Sequence, residues 1–476
     1  MSFTLFYNIS ELLSLKEVSE KQGRHITSKD FVITKKAAII SYKGKIVWVG
    51  KYAAVKPRLI KQLMQINKIT QTLQRHSLSQ AFIMPAFVEC HTHLLFAGNR
   101  ASEFNLRQKG MSYSDITKKG GGILSTVKAT RKLSLLELKR MAQKRAEVFL
   151  SQGVTSLEAK SGYGLNLSSE IKMLEAIKSI KKLNTKATLL ALHTLPKEFS
   201  SKDKYFQWVI NQVLPKAVKK QVVDRVDIFV EQMAFNKKHM TALFKQASDY
   251  NLGLTVHSDQ LSPQGTSCLA SQQGASSVDH VNFVSDSEIK QLSKANVSNV
   301  FLPGADFYLK MPYPQARKFL DAGARVALAT DYNPGTCPCN NIEFIGLLAR
   351  LEMNMTIEEV VAAYTVSAAY ALGMQNTVGS LQVGKQADFI SLNKPYDELF
   401  YSSTLKNPVV KSVYRLGRLV ASNGQVVVEY ALLLMISVIL AMTLVNMTVS
   451  RNPDSPGFII KKWGDILKVI GEDTQK

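Results

Sequence analysis

The sequence predicts an α/β protein: a (β/α)8 TIM-like barrel with a small β-sandwich formed by both chain ends. Three observations predict it. From about residue 82, eight short apolar runs alternate with amphipathic segments of helical period. Histidines and an aspartate stand at the ends of these runs. Strand-like pieces precede the first run and follow the last helix.

Residues 1–84 mix strand-like stretches such as "FVITKKAAIISYKGKIVWVGKY" with a basic helical segment. They supply the N-terminal part of the sandwich. The barrel, 85–378, follows with the runs "FVECHTH", "VTSLEAKSG", "TLLALHT", "VDIFVEQ", "LTVHSDQ", "SSVDHVNF", "VSNVFLPG" and "RVALATDY". Between them, "SSEIKMLEAIKSIKKL", "KKHMTALFKQASDY" and "YPQARKFLDAGA" have the 3.6-residue period of helices. An open doubly wound sheet would share this alternation, but no glycine-rich phosphate fingerprint follows the first strand. After the barrel, "TIEEVVAAYTVSAAYALGM" reads as an amphipathic helix. Residues 379–424 return to strand-like sequence and complete the sandwich. Residues 425–476 are a hydrophobic helix and tail.

The chain has 476 residues, 46% hydrophobic and 20% charged, which describes a globular protein with material for a large core. Four cysteines are too few for a disulfide framework and suit a reducing cytoplasm. Cys337 and Cys339 in "CPC" lack a second thiol pair and read as a loop. The net charge of +23 comes from lysines scattered over helical stretches, without interleaved aromatics. This is a solvated basic surface and not a nucleic-acid footprint. The N-terminus lacks the cationic start and apolar run of a secretory signal.

The chemistry gathers at the strand ends. His91 and His93 flank one threonine at the end of run one. Alternate residues of a strand face the same way, so the two imidazoles can share one metal ion. A chance pair of core histidines has the same spacing. His193, His257, His280 and Asp331 end runs three, five, six and eight. The carboxyl ends of barrel strands converge on one site, which makes a set of satisfied core histidines a poor account of all five.

The stretches "PAFVECHTHLLFAGNRASEF", "GGGILSTVKATR", "GVTSLEAKSGYGL", "ALHTLP", "HSDQLS", "DHVNF", "LPGADFYL" and "ALATDYNPGTCP" resemble the imidazolonepropionases, amidohydrolase-superfamily enzymes of histidine degradation. "KSGYGL" together with "TDYNPGT" is the specific part. The resemblance implies a metallo-dependent hydrolase that opens the cyclic amide of 4-imidazolone-5-propanoate, giving N-formimidoyl-L-glutamate. It implies one divalent metal, zinc or iron, on His91, His93, His257 and Asp331. Arg100, Tyr163, His193, Gln260, Asn333, Gly335 and Thr336 would touch a small anionic substrate, and the assembly would be a homodimer. Such a metal lowers the pKa of water to about 7. Asp331 would pass the proton to the departing nitrogen, and His280 would orient water or stabilise the oxyanion. Lys160, which a two-metal relative would carbamylate, is read as structural or electrostatic. A nucleobase deaminase of the same superfamily is the alternative, with Arg100 and Tyr163 as discriminators.

The C-terminus departs from this pattern. "YALLLMISVILAMTLVNMTVS", 430–450, holds no charge and is long enough to span a bilayer. With Gly424 and Glu429 before it, it resembles a Flp-type prepilin. The alternatives are a pilin-like fusion or frame error, a membrane anchor, and an inactive barrel carrying a pilin-like segment.

Overall fold

The computed structural model describes residues 2–111, 115, 121–402, 409–423, 425–449 and 457–473. It divides into two compact units, Met1–Ala421 and Ser422–Lys476.

The first unit contains two sheets. The chain ends build one from β1 (Phe3–Leu13), β2 (Ile33–Tyr42), β3 (Lys45–Lys51), β4 (Leu73–Pro85), β13 (Phe389–Leu392), β14 (Val410–Arg415) and β15 (Arg418–Ser422). Their order is β15-β14-β13-β4-β1-β2-β3. The two chain ends meet where β13 runs antiparallel to β4, with Ser391 opposite Ile83. Period-two alternation gives this sheet two apolar faces. Phe6, Ile39, Ile83 and Phe389 pack on one; Leu5 and Ile40 pack on the other with Leu63 of helix Pro57–Ile66.

The second sheet comprises β5 (Phe87–Glu89), β6 (Val154–Lys160), β7 (Asn184–Leu192), β8 (Arg225–Val230), β9 (Gly253–Ser258), β10 (Ser277–His280), β11 (Ser298–Phe301) and β12 (Arg325–Leu328). They lie side by side in chain order, and these are the eight runs expected from sequence. Every residue of β6 is buried, as a strand between a packed barrel interior and an outer helix layer must be. The outer helices start on defined caps. Ser134 and Glu137 form a capping box for Leu135–Ser151, and Asn236 caps Lys237–Asp249. A bridge between Thr92 and Tyr332 joins the first strand's end to the last. There Asp331 N donates to His91 O at 3.1 Å and His93 N to Tyr332 O at 3.0 Å. The barrel seam therefore lies at the residues of interest.

The second unit holds helices Gln425–Val449 and Phe458–Asp473, packed on each other. Among the described residues no helix is long and apolar enough to cross a membrane; the expected span 430–450 lies partly outside them. The side chains of 430–433 and residue 450 lie outside the described residues.

Among the described residues all strands precede Gly424. Ending the chain there is expected to leave the melting temperature of the barrel and its activity unchanged. Loss of cooperative unfolding in the shortened chain would show that the first unit depends on the helices.

Candidate active site

Four of the expected residues converge at the barrel seam. The ligating atoms of His91, His93 and His257 lie within 4.8 Å of one another. His257 Nε2 is 3.3 Å from His93 Nε2. Asp331 Oδ1 stands 3.6 Å from His91 Nε2 and 3.5 Å from His93 Nε2. His91 Nε2 and Asp331 Oδ1 are buried without a hydrogen-bond partner. Buried polar atoms left unpaired are costly, and lone pairs that converge in this way are satisfied together by one cation. The residues present therefore fit a single divalent metal. Burial drives the imidazoles of His91 and His93 well below their usual range, into the neutral form that ligates. Burial also pushes the Asp331 carboxyl up to about 7.

A second layer, unread in the sequence, sets the ring orientations. His91 Nδ1 donates to Asp279 Oδ2 at 2.7 Å, leaving Nε2 free for a metal. His257 Nδ1 sits 2.9 Å from Asp227 Oδ2. Burial works to lower the His257 pKa, but Asp227 more than offsets it and raises it. Glu89 closes the seam: its carboxylate accepts from His91 N and Thr330 N, both at 3.2 Å. The signal for Asp227, Asp279 and Glu89 was a charged residue inside an otherwise apolar run.

Arg100 is buried, not a surface arginine. Its Nε donates to Glu103 Oε2 at 2.7 Å, and Glu103 Oε1 accepts from Gly122 N and Ser125 Oγ. The guanidinium lies against Gly335, where an added Cβ would fall 2.0 Å from Arg100 Nη1. Asn333 shapes that turn by accepting from Gly335 N at 2.8 Å and Thr336 N at 2.7 Å. On the second loop, Gly162 adopts φ 99°, and buried Tyr163 follows it. Glu170, missed in the sequence, fixes this loop by accepting from Gly162 N, Gly164 N and Leu165 N. His193 stacks on His93 with ring centroids 5.2 Å apart, and burial lowers its pKa to about 3. The His280 ring lies 5.3 Å from that of His257, with Nδ1 buried and unpaired.

Most of the expected site residues line one cavity of about 300 Å³, with His91 buried behind it. His93, His257, His280 and Asp331 share it with Arg100, Tyr163, His193, Gln260, Asn333 and Thr336. Gly335 contributes through its contact with Arg100. The apolar wall of Ile123, Phe229, Met233, Leu261, Leu309 and Met311 was not anticipated.

A family model described as "Amidohydrolase family" matches residues 82–427. The imidazolonepropionase of Bdellovibrio bacteriovorus is 46% identical over 398 residues, 84% of this chain and 92% of that protein. That of Porphyromonas gingivalis is 33% identical over 422 residues, 88% of this chain and 97% of that protein. This chain belongs to the imidazolonepropionase family of amidohydrolases. An adenosine deaminase from Xanthomonas campestris with bound zinc shares the fold at TM-score 0.63 and 15% identity, over 90% of this chain and 97% of that one. Guanine deaminase from E. coli does so at 0.63 and 15%, over 88% and 100%. The chain is a hydrolase acting on carbon–nitrogen bonds. The prepilin likeness of its C-terminal segment finds no support in these relatives.

Proposed function

We propose that this enzyme hydrolyses the cyclic amide of 4-imidazolone-5-propanoate to N-formimidoyl-L-glutamate, with one zinc or ferrous ion on His91, His93, His257 and Asp331. The observation that supports this reading most is the buried Arg100 guanidinium in the same cavity as His93, His257 and Asp331 of the metal-holding cluster. When bound, the metal supplies Lewis acidity and lowers the pKa of water.

The chain's own groups do the rest. Arg100 holds the propanoate, since a guanidinium fork matches a carboxylate. Tyr163, Asn333 and Thr336 close around the same end. Asp331 takes the proton of the attacking water at the carboxylate oxygen not aimed at the imidazoles and delivers it to the ring nitrogen as the carbon–nitrogen bond breaks. His280, which lines the cavity, stabilises the developing oxyanion. Gln260 lacks an acid function and serves as a hydrogen-bonding group. The apolar wall excludes water from the ring's other face. The four free thiols, three of them buried, suit a reducing compartment such as the cytoplasm.

The test is metal analysis together with ring-opening of imidazolone propanoate, followed as loss of the substrate's ultraviolet absorbance. One zinc or iron per chain with turnover of that substrate is expected. A metal-loaded protein inert toward it but active on a purine or pyrimidine would make it a nucleobase deaminase.

A further inference from the structure

Beneath the proposed metal site lies a layer of charge that the reaction does not itself use. Lys160 Nζ is fully buried, 2.7 Å from Glu158 Oε1 and 2.9 Å from Asp227 Oδ2, with Asp279 Oδ2 at 3.9 Å. The last two oxygens are the ones that meet His257 Nδ1 and His91 Nδ1. Glu158 reaches the remaining histidine ligand, His93, indirectly. Its Oε2 accepts from Thr92 N, between His91 and His93, and its carbonyl accepts from Thr92 Oγ1. Lys160, Asp227 and Asp279 stand on alternate barrel strands β6, β8 and β10, the arrangement that puts side chains into one interior layer.

We propose that Lys160 is a positioning residue for the metal site, an ammonium that holds the Asp227 and Asp279 carboxylates where they aim the His257 and His91 imidazoles. This rests on the metal reading given above. Without the ammonium, three carboxylates would face one another in a space closed to water, and they would turn apart. The rings they hold would turn with them. The same contacts argue that the amine is not carbamylated, because a carbamate would add a fourth negative charge to the cluster. Burial works against the Lys160 charge, but Asp227, Glu158 and Asp279 more than offset it and raise the amine above its usual range. Among the described residues no second metal-holding group lies nearby for a bridging lysine to serve.

The test measures Co²⁺ and Zn²⁺ affinity by chelator competition, with the visible absorption of the Co²⁺ protein as a record of ligand geometry. The full chain is compared with Lys160→Met, Glu158→Gln and the charge-balanced double variant Lys160→Met/Glu158→Gln. Loss of a group that orients a metal ligand weakens binding roughly 10–100-fold. That loss is expected for Lys160→Met, together with altered Co²⁺ bands. If Lys160→Met does not fold, the double variant is set against Glu158→Gln, and a further loss of about tenfold or more is expected there. Equal affinity and identical Co²⁺ bands with and without Lys160 overturn the proposal and leave the lysine a core countercharge only. Absence of stoichiometric Co²⁺ in the unaltered protein would instead sink the metal reading itself.

Discussion

Asp331→Ala and His257→Ala are each expected to reduce kcat/KM on the order of 10⁴-fold or more, the scale seen when a group in a cooperating catalytic set is removed. Both variants should also emerge from gel filtration with well under one metal per chain. The two losses are tied because Asp331 Oδ1 and the three imidazole nitrogens share one space only a few ångströms across. Retention of one metal per chain by both variants would show that the ligand set is wrong.

A stability signature separates Asp331 further. Burial raises its carboxyl from an ordinary 3.8 to about 7 in the metal-free fold. A carboxyl raised on folding binds its proton more tightly in the native state. Its stabilising contribution is therefore full below the unfolded value and lost as pH rises through the folded one. Metal-free protein should lose stability relative to Asp331→Ala between pH 4 and 7, read as the difference in melting temperature. A flat difference over that window would contradict the buried, unpaired geometry.

Strand ends were the most legible part of this sequence. A buried parallel strand is a short apolar run, and a polar residue at its carboxyl end has few reasons to be there except the site. His91, His93, His257 and Asp331 stood out for that reason, and the barrel followed from the same rhythm. The second layer was illegible because the meaning of Asp227 and Asp279 lies in partners far along the chain. Each is one charged residue in an apolar run until the closing barrel brings it to Lys160 and a histidine, and Glu158, two residues from Lys160, meets Thr92 only in the same way. The apolar wall failed for another reason: Met233 and Met311 on loops and Leu309 at a helix end have no periodicity to distinguish them from core. A helix was expected from the uncharged run 430–450, and the structure begins it earlier, at Gln425, because helical backbone extends past the apolar residues that signal it.

Arg100→Ala should raise KM for the propanoate substrate roughly 10–150-fold, the equivalent of a charged hydrogen-bond pair worth about 1.5–3 kcal/mol. Metal content should stay at one per chain, because Arg100 comes from the first loop and is not itself one of the ligands; it meets Glu103 and Gly335. Arg100→Lys should recover only part of the loss, since an ammonium keeps the charge but not the planar fork. Gly335→Ala reaches the same group from the other side: its Cβ would occupy the place of Arg100 Nη1 and force the guanidinium away. A neutral ester of the substrate supplies the control. If Arg100 binds the propanoate, esterification should weaken the unaltered enzyme by about the factor that Arg100→Ala does, and should cost the variant little more. An ester penalty of the same size in both proteins would place the carboxylate elsewhere in the cavity. Arg100 would then be a loop anchor for Glu103, and the substrate's acid group would need another partner.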